Sequence, residues 1–321
     1  MPTPAAPLVA SPPVSPLRDA RLKSRLAIAY MLDAMANARG DNHPLDTLLY
    51  ATISQANVMQ ISRQADLQVV FAGADDAPPD EMRRPVSMNA LAASLNLPFE
   101  TVRRRVRGLI RAGVCQAVEG GVVVPTAVVS SPDYLHVTTA AYERLAAFYR
   151  QLSALGLLGD LPIANVELKA GLAPLRTVAR ISTDYLLRVV DSLVRAVGNL
   201  LEGLILLEVV RSNTEHLQAD QRGGEGALAD DFVPDRQRRP VSVTAIAGRL
   251  GLPIETVRRH VTELQARGLC LRATGGLLVP AEVLARPAFA HFTAENLTNL
   301  NRMFASLSQL GVLAVWDRQT P

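Results

Sequence analysis

Arginines occur in two dense groups in this 321-residue chain, and guanidinium groups at such density could bind phosphates or the edges of bases. Residues 81–112 hold seven arginines against two glutamates, a net charge of +5, and residues 235–272 hold eight arginines against three acidic residues, again +5. The whole chain carries only +3, so the remaining residues carry −7. Because composition alone can favour arginine over lysine, only the positions of the arginines bear on phosphate binding. A solvated helix face is the alternative interpretation.

The two groups lie in repeated segments. Residues 85–125 and 240–280 align without a gap at an offset of 155 residues, and 21 of the 41 aligned positions are identical. This period is too long for a solenoid, so the sequence predicts tandem domains. The expected divisions are a proline-rich disordered tail over 1–20, a first unit over 21–158, a linker over 159–181, a second unit over 182–313 and a C-terminal tail over 314–321.

Each copy carries the same order of local signals. In the first copy Ser87 is a good helix N-cap, Asn96 is a turn residue and Pro98 opens a second helix. Gly113 then ends that helix, and two short apolar runs around a Gly-Gly turn predict a β-hairpin. The second copy has a residue suited to the same role at each of these positions. Helix, turn, helix and hairpin is the order of a winged helix-turn-helix.

The stretches LAASLNLPFETVRRRVRGLIRAG (91–113) and IAGRLGLPIETVRRHVTELQARG (246–268) resemble the DNA-binding segment of bacterial winged helix-turn-helix regulators of the MarR, IclR and GntR types. The resemblance covers about 41 residues per copy. It implies that the second helix enters the major groove, that the hairpin wing touches the backbone or minor groove, and that flanking helices mediate dimerisation.

Helical projection at about 100° per residue places Val102 and Val106 toward the core and Arg104 almost directly away from it. Arg104 and its equivalent Arg259 are therefore the best candidates for reading base edges, with guanine the expected base. Thr101, Thr256, Arg103 and Arg258 are candidates for phosphate contacts. The full set of candidate DNA-contacting residues is Arg83, Arg84, Pro98, Thr101, Arg103, Arg104, Arg105, Arg107, Arg111, Arg238, Arg239, Pro253, Thr256, Arg258, Arg259 and His260.

The two copies differ in charge at the second helix. Residues 98–112 carry a net +4, whereas residues 253–267 carry +1. Three arginines of the first copy are replaced in the second: Arg105 by His260, Arg107 by Thr262 and Arg111 by Ala266. The sequence therefore predicts non-equivalent half-sites, with the first copy binding more strongly. Neither expected wing tip is basic, which departs from many winged regulators and weakens the case for wing contact with DNA.

The apolar segment Tyr185–Leu217 must be covered, and its weaker counterpart Ala29–Ile61 is the simplest cover. We therefore expect a mainly α fold with small β-hairpin wings, in which a tandem duplicated winged helix-turn-helix forms an intramolecular pseudo-dimer. A homodimer through the same helices is the competing arrangement. Two reading helices about 34–36 Å apart would match a pseudo-palindromic site.

Other features limit the function classes. The two cysteines, Cys115 and Cys270, exclude a disulfide scaffold and a four-cysteine zinc site, and buried thiols in the first wing strands are favoured over a redox switch. No catalytic, dinucleotide or metal motif occurs, so neither an enzyme nor a cofactor is expected. The stretch Val197–Val210 contains two glutamates and is shorter than the about 20 apolar residues of a membrane span. Unpaired cysteines and the lack of an export signal predict a cytoplasmic protein.

The expected function is a sequence-specific double-stranded DNA-binding transcription regulator of bacterial type, which in families of this kind acts more often as a repressor. The alternative is a winged-helix protein–protein interaction module that does not bind DNA. A small-molecule effector could bind between the long helices and the winged units, but no residue pattern identifies it.

Overall fold

The protein is described here by a computed structural model that covers residues 16–169, 171–217 and 232–319. The elements within these residues, in chain order, are α1 (Pro16–Arg39), α2 (Pro44–Asn57), α3 (Met59–Ser62), α4 (Ala65–Val70), α5 (Met88–Leu95), α6 (Phe99–Arg111), β1 (Gln116–Val118), β2 (Gly121–Val123), α7 (Thr126–Val129), α8 (Pro132–Ala154), α9 (Leu175–Val197), α10 (Leu200–Thr214), α11 (Val243–Leu250), α12 (Ile254–Ala266), β3 (Leu271–Ala273), β4 (Gly276–Leu278), α13 (Ala281–Leu284), α14 (Pro287–Gln309) and α15 (Val312–Arg318). The fold is mainly helical, with two small antiparallel hairpins.

Four long helices, α1, α8, α9 and α14, form the centre of the molecule. Helix α1 packs on α8 and α14, and α9 packs on the same two helices. Aromatic rings fill the centre: Tyr30 stacks on Phe148 with ring centroids 4.6 Å apart, and Tyr185 and Phe304 lie 6.4 Å and 6.0 Å from these two rings, respectively. Both halves of the chain therefore contribute to one core.

Helix α10 is buried along nearly its whole length. It begins after Gly198 because the side chain of Asn199 accepts hydrogen bonds from the Leu201 and Glu202 N–H groups at 3.0 and 3.2 Å. Helix α10 packs against α1, and α9 packs against α2. The region expected to cover the apolar segment packs against part of it, while α14 makes the most extensive contact with α9. None of the described helices is long and apolar enough to cross a membrane.

Two groups of elements have the helix–turn–helix–hairpin order that the repeats predict. The first contains α2, α5, α6 and the β1–β2 hairpin, and the second contains α10, α11, α12 and the β3–β4 hairpin. The bounds of the elements from α5 to α8 recur 155 residues later in those from α11 to α14. An isolated bridge joins Val86 to Val122 in the first group and Val241 to Leu277 in the second, which ties the segment before α5 or α11 to its hairpin.

The local signals act as the sequence predicts. Ser87 accepts a hydrogen bond from the Ala90 N–H at 3.2 Å, and Asn96 ends α5 in the left-handed conformation with a φ of 48°. Gly121, in the hairpin, has a φ of +149°, and a Cβ there would lie 2.3 Å from the carbonyl oxygen of Val86. The close approach of the two backbones therefore requires glycine at this position.

Three segment bounds differ from the expected ones. Helix α1 begins at Pro16, inside the predicted tail, and α9 begins at Leu175, inside the predicted linker. The N-cap residue of α9 is Pro174, whose side chain makes no capping bond, and tertiary contacts such as the Arg176 N–H to Ala72 carbonyl bond (2.9 Å) hold the first turn. The expected C-terminal tail includes most of α15, whose Trp316 is fully buried and contacts the Tyr142 and Tyr149 rings.

Candidate nucleic-acid interface

Helix α6 exposes a stripe of three arginines. Val102 and Val106 are fully buried against α2 and α5, and this fixes the rotation of the helix about its axis. Arg104, Arg107 and Arg111 are exposed on the opposite side. Among the described residues no carboxylate lies within 4.0 Å of their guanidinium groups. These groups are free to bind an external anion or base edge.

The other two arginines of α6 are held by carboxylates. Arg103 pairs with Glu100 one turn earlier, at 2.6 Å, on the exposed flank of the helix. Arg105 reaches back to α2, where it contacts Asp46 at 2.9 Å and the His43 ring at 3.2 Å. Burial, followed by the charge of Arg105, lowers the pKa of His43. Arg105 therefore anchors α6 to α2 and does not face outward with the stripe.

Helix α12 exposes a chemically different stripe. Arg259, Thr262 and Ala266 are exposed at the positions equivalent to the three arginines of α6. Arg258 pairs with Glu255, as its counterpart does in the first group. The stripe of α12 therefore offers one unpaired guanidinium where that of α6 offers three.

His260, predicted to contact DNA, is buried against α10. Its Nδ1 lies 3.3 Å from Glu202, which also accepts a hydrogen bond from Arg267 at 2.9 Å. Glu202 is the third residue of α10, as Asp46 is the third residue of α2. Helices α6 and α12 are thus each fixed by a carboxylate from the first turn of another helix, α2 and α10, respectively. Arg267, counted in the sequence as part of the second basic group, is exposed but has its charge paired with Glu202.

Arginine pairs precede α5 and α11, and in each pair the first residue is buried and the second is exposed. Arg83 is buried and donates to the Pro78 carbonyl at 3.1 Å and to the Thr126 hydroxyl at 3.2 Å. Arg238 is also buried and donates to the Val233 carbonyl at 3.0 Å. Desolvation lowers the pKa of both guanidinium groups. These two residues bridge loops within the protein, so we do not retain them as DNA contacts.

The remaining candidates lie at the surface. Arg84, Arg239, Pro98 and Pro253 are exposed, and Thr101 and Thr256 are half-buried in the first turns of α6 and α12. The wing tips carry Glu119 and Thr274, both exposed, so the structure adds no basic group there.

A buried asparagine in each group was missed by the sequence comparison. The Asn57 amide donates to the carbonyls of Arg84 (2.7 Å) and Val122 (3.2 Å), and its oxygen accepts from the Val124 N–H at 2.8 Å. Asn213 makes the same three bonds with Arg239, Leu277 and Val279. The two asparagines lie 156 residues apart, so the ungapped offset of 155 aligns Asn57 with Ser212 instead. A search that allowed one gap would have paired them.

The described residues contain no group of three or more His, Cys, Asp or Glu side chains that could hold a metal ion. Cys115 and Cys270 are buried one residue before β1 and β3, not within these strands as expected, and burial raises the pKa of each thiol to about 11. Comparisons with protein-family models, with curated proteins and with solved structures found no match to this chain.

Proposed function

We propose that the protein is a sequence-specific double-stranded DNA-binding transcription regulator whose reading helices are α6 and α12. The observation that carries this proposal is the outward stripe of α6, where Arg104, Arg107 and Arg111 are exposed and free of carboxylate partners. Guanidinium groups with no internal partner bind phosphates with release of counterions and can pair bidentately with guanine.

The proposal includes an intramolecular pseudo-dimer. Side chains from the two halves also pair with each other: Arg211 pairs with Asp33 at 2.5 Å at the surface, and Lys23 donates to Asn301 at 2.6 Å. The aromatic core also contains rings from both halves. One chain then presents two reading helices to one duplex, as the two subunits of a dimeric regulator do, and the protein binds as a monomer.

Salt-dependent binding of the purified chain to a random-sequence DNA pool tests the proposal. Arg104→Ala should cost about 1–3 kcal/mol at the selected site if Arg104 pairs with a base, because one bidentate contact is lost. Arg302→Ala is the matched control, since Arg302 is exposed on α14, away from the reading helices, and its loss should leave affinity nearly unchanged. Absence of any sequence-selective binding near physiological salt would contradict the proposal.

A protein-binding module is the second candidate, and exposed apolar side chains favour it. Phe99 and Ile254 start the two reading helices with 42% and 39% of their surface exposed, and Val118 and Leu271 are exposed on the wings at 38% and 51%. Such residues suit a protein surface better than a phosphate backbone. If the chain selects no DNA, these positions become the first ones to substitute in a search for a protein partner.

A further inference from the structure

We propose that one position of each reading helix decides the base read there: Arg107 of α6 selects guanine in one half-site, and Thr262 of α12 selects thymine in the other. This inference rests on the proposed DNA binding. Its consequence is an asymmetric DNA site, in which the two halves share one base and differ at the next.

The two outward stripes can be compared position by position. Both begin with a glutamate, Glu100 or Glu255, that pairs with the arginine three residues on. The next position is an exposed arginine in both helices, Arg104 or Arg259. These shared positions give the half-sites a common guanine but cannot distinguish them. The next position along the stripe is the first at which the helices differ.

Arg107 and Thr262 occupy this position, and both are exposed. A guanidinium without an internal partner can donate two parallel hydrogen bonds to guanine O6 and N7, and its planar fork matches that base edge. Threonine cannot form this pair. The same location in the two half-sites therefore meets different chemistry.

The hydroxyl of Thr262 is turned back into its own helix. Its Oγ1 donates to the Arg258 carbonyl at 3.1 Å, the bond to the preceding turn that threonine commonly forms. With the hydroxyl held there, the γ-methyl is the group left to face outward. A threonine methyl makes apolar contact with the C5 methyl of thymine in the major groove, which no other DNA base offers.

The last pair of the stripe, Arg111 and Ala266, contributes less to base choice. Both residues are at the C-terminal ends of their helices, whereas helix-turn-helix proteins read bases mainly from the N-terminal part of the helix. Arg111 is therefore placed for a phosphate, and Ala266 for none. This difference changes affinity, while the difference between Arg107 and Thr262 changes sequence preference. An asymmetric site also fixes the direction in which the chain lies on DNA.

Selection of bound sites from a randomised duplex pool, with the full chain, tests the inference. The wild-type site should show the common guanine in both halves and, at the adjacent differing position, guanine in one half and thymine in the other. Arg107→Thr should convert that guanine to thymine, and Thr262→Arg should convert the thymine to guanine, so each variant selects a symmetric site. Each should bind the wild-type site about 5- to 150-fold more weakly than its own site, the range expected for one mismatched base contact.

Arg111→Ala and Ala266→Arg are the matched controls, because they exchange the other differing position and involve a similar change of charge. They should alter affinity and its salt dependence without altering the selected bases. The inference would be overturned if the wild-type site had the same base at the differing position in both halves. It would also be overturned if neither Arg107→Thr nor Thr262→Arg changed the selected site. Either result would leave DNA binding intact. Failure to select any site would overturn the proposed function itself.

Discussion

Replacement of Asn57 tests how the β1–β2 hairpin is held to α2 and to the segment before α5. Asn57 is fully buried, and its three hydrogen bonds connect the end of α2 to the segment before α5 and to the hairpin. Truncation to alanine removes all three. The Val122 carbonyl keeps the hydrogen bond that it accepts from the Val86 N–H at 3.2 Å. The Arg84 carbonyl and the Val124 N–H lose the side-chain partner that the structure shows.

The expected cost follows from these two orphaned groups. A buried polar group left unpaired costs about 1–3 kcal/mol. Val124 is fully buried, so its N–H should bear a full penalty, whereas Arg84 is exposed and its carbonyl can bind water at lower cost. Asn57→Ala should therefore lower the free energy of unfolding by about 2–4 kcal/mol. Asn213→Ala should cost about the same, because its hydrogen bonds repeat those of Asn57.

Urea unfolding followed by far-UV circular dichroism measures both costs. Asn89→Ala is the control, since Asn89 is exposed on α5 in the same group and should change stability by no more than about 0.5 kcal/mol. Fluorescence of Trp316, the single tryptophan, reports on the central core in the same samples. Coincident unfolding curves for Asn57→Ala and Asn89→Ala would show that the amide does not hold the wing.

Two further outcomes are expected. Arg83→Ala should lower the thermal midpoint of unfolding because the buried guanidinium of Arg83 bridges loops. Arg84→Ala should leave the midpoint unchanged and weaken DNA binding about equally at all sequences. Equal destabilisation by the two variants would contradict the assignment of Arg83 to the interior and Arg84 to the surface. Burial raises the pKa of the two thiols, Cys115 and Cys270, to about 11, against about 8.5 for an unfolded thiol. As pH rises, the unfolded chain therefore loses these protons before the folded chain does, so the contribution of the thiols to stability should fall between about pH 8.5 and 11. A thiol reagent at pH 8 should react with neither cysteine until the chain is unfolded.

Much of the fold follows from short-range signals in the sequence. The Ser87 cap, the left-handed Asn96 and the glycines of the hairpin act through neighbouring backbone groups, and the predicted order of helices and strands agrees with the structure. The start of α9 and the whole of α15 could not be read in this way. Both depend on distant contacts, the bond of Arg176 to Ala72 and the burial of Trp316, and neither helix begins with a side-chain cap.

The sequence alone determined which residues of α6 and α12 face outward, because the buried valines repeat with the helical period and thereby orient Arg104 and Arg259. It could not determine which arginines are free. Arg105 carries the same charge as Arg104, but Asp46 from a helix about sixty residues earlier neutralises it, and Arg83 is buried while Arg84 is exposed. Only the tertiary structure decides these pairings. An arginine is paired or left exposed according to which distant groups the fold brings within hydrogen-bonding distance of its guanidinium.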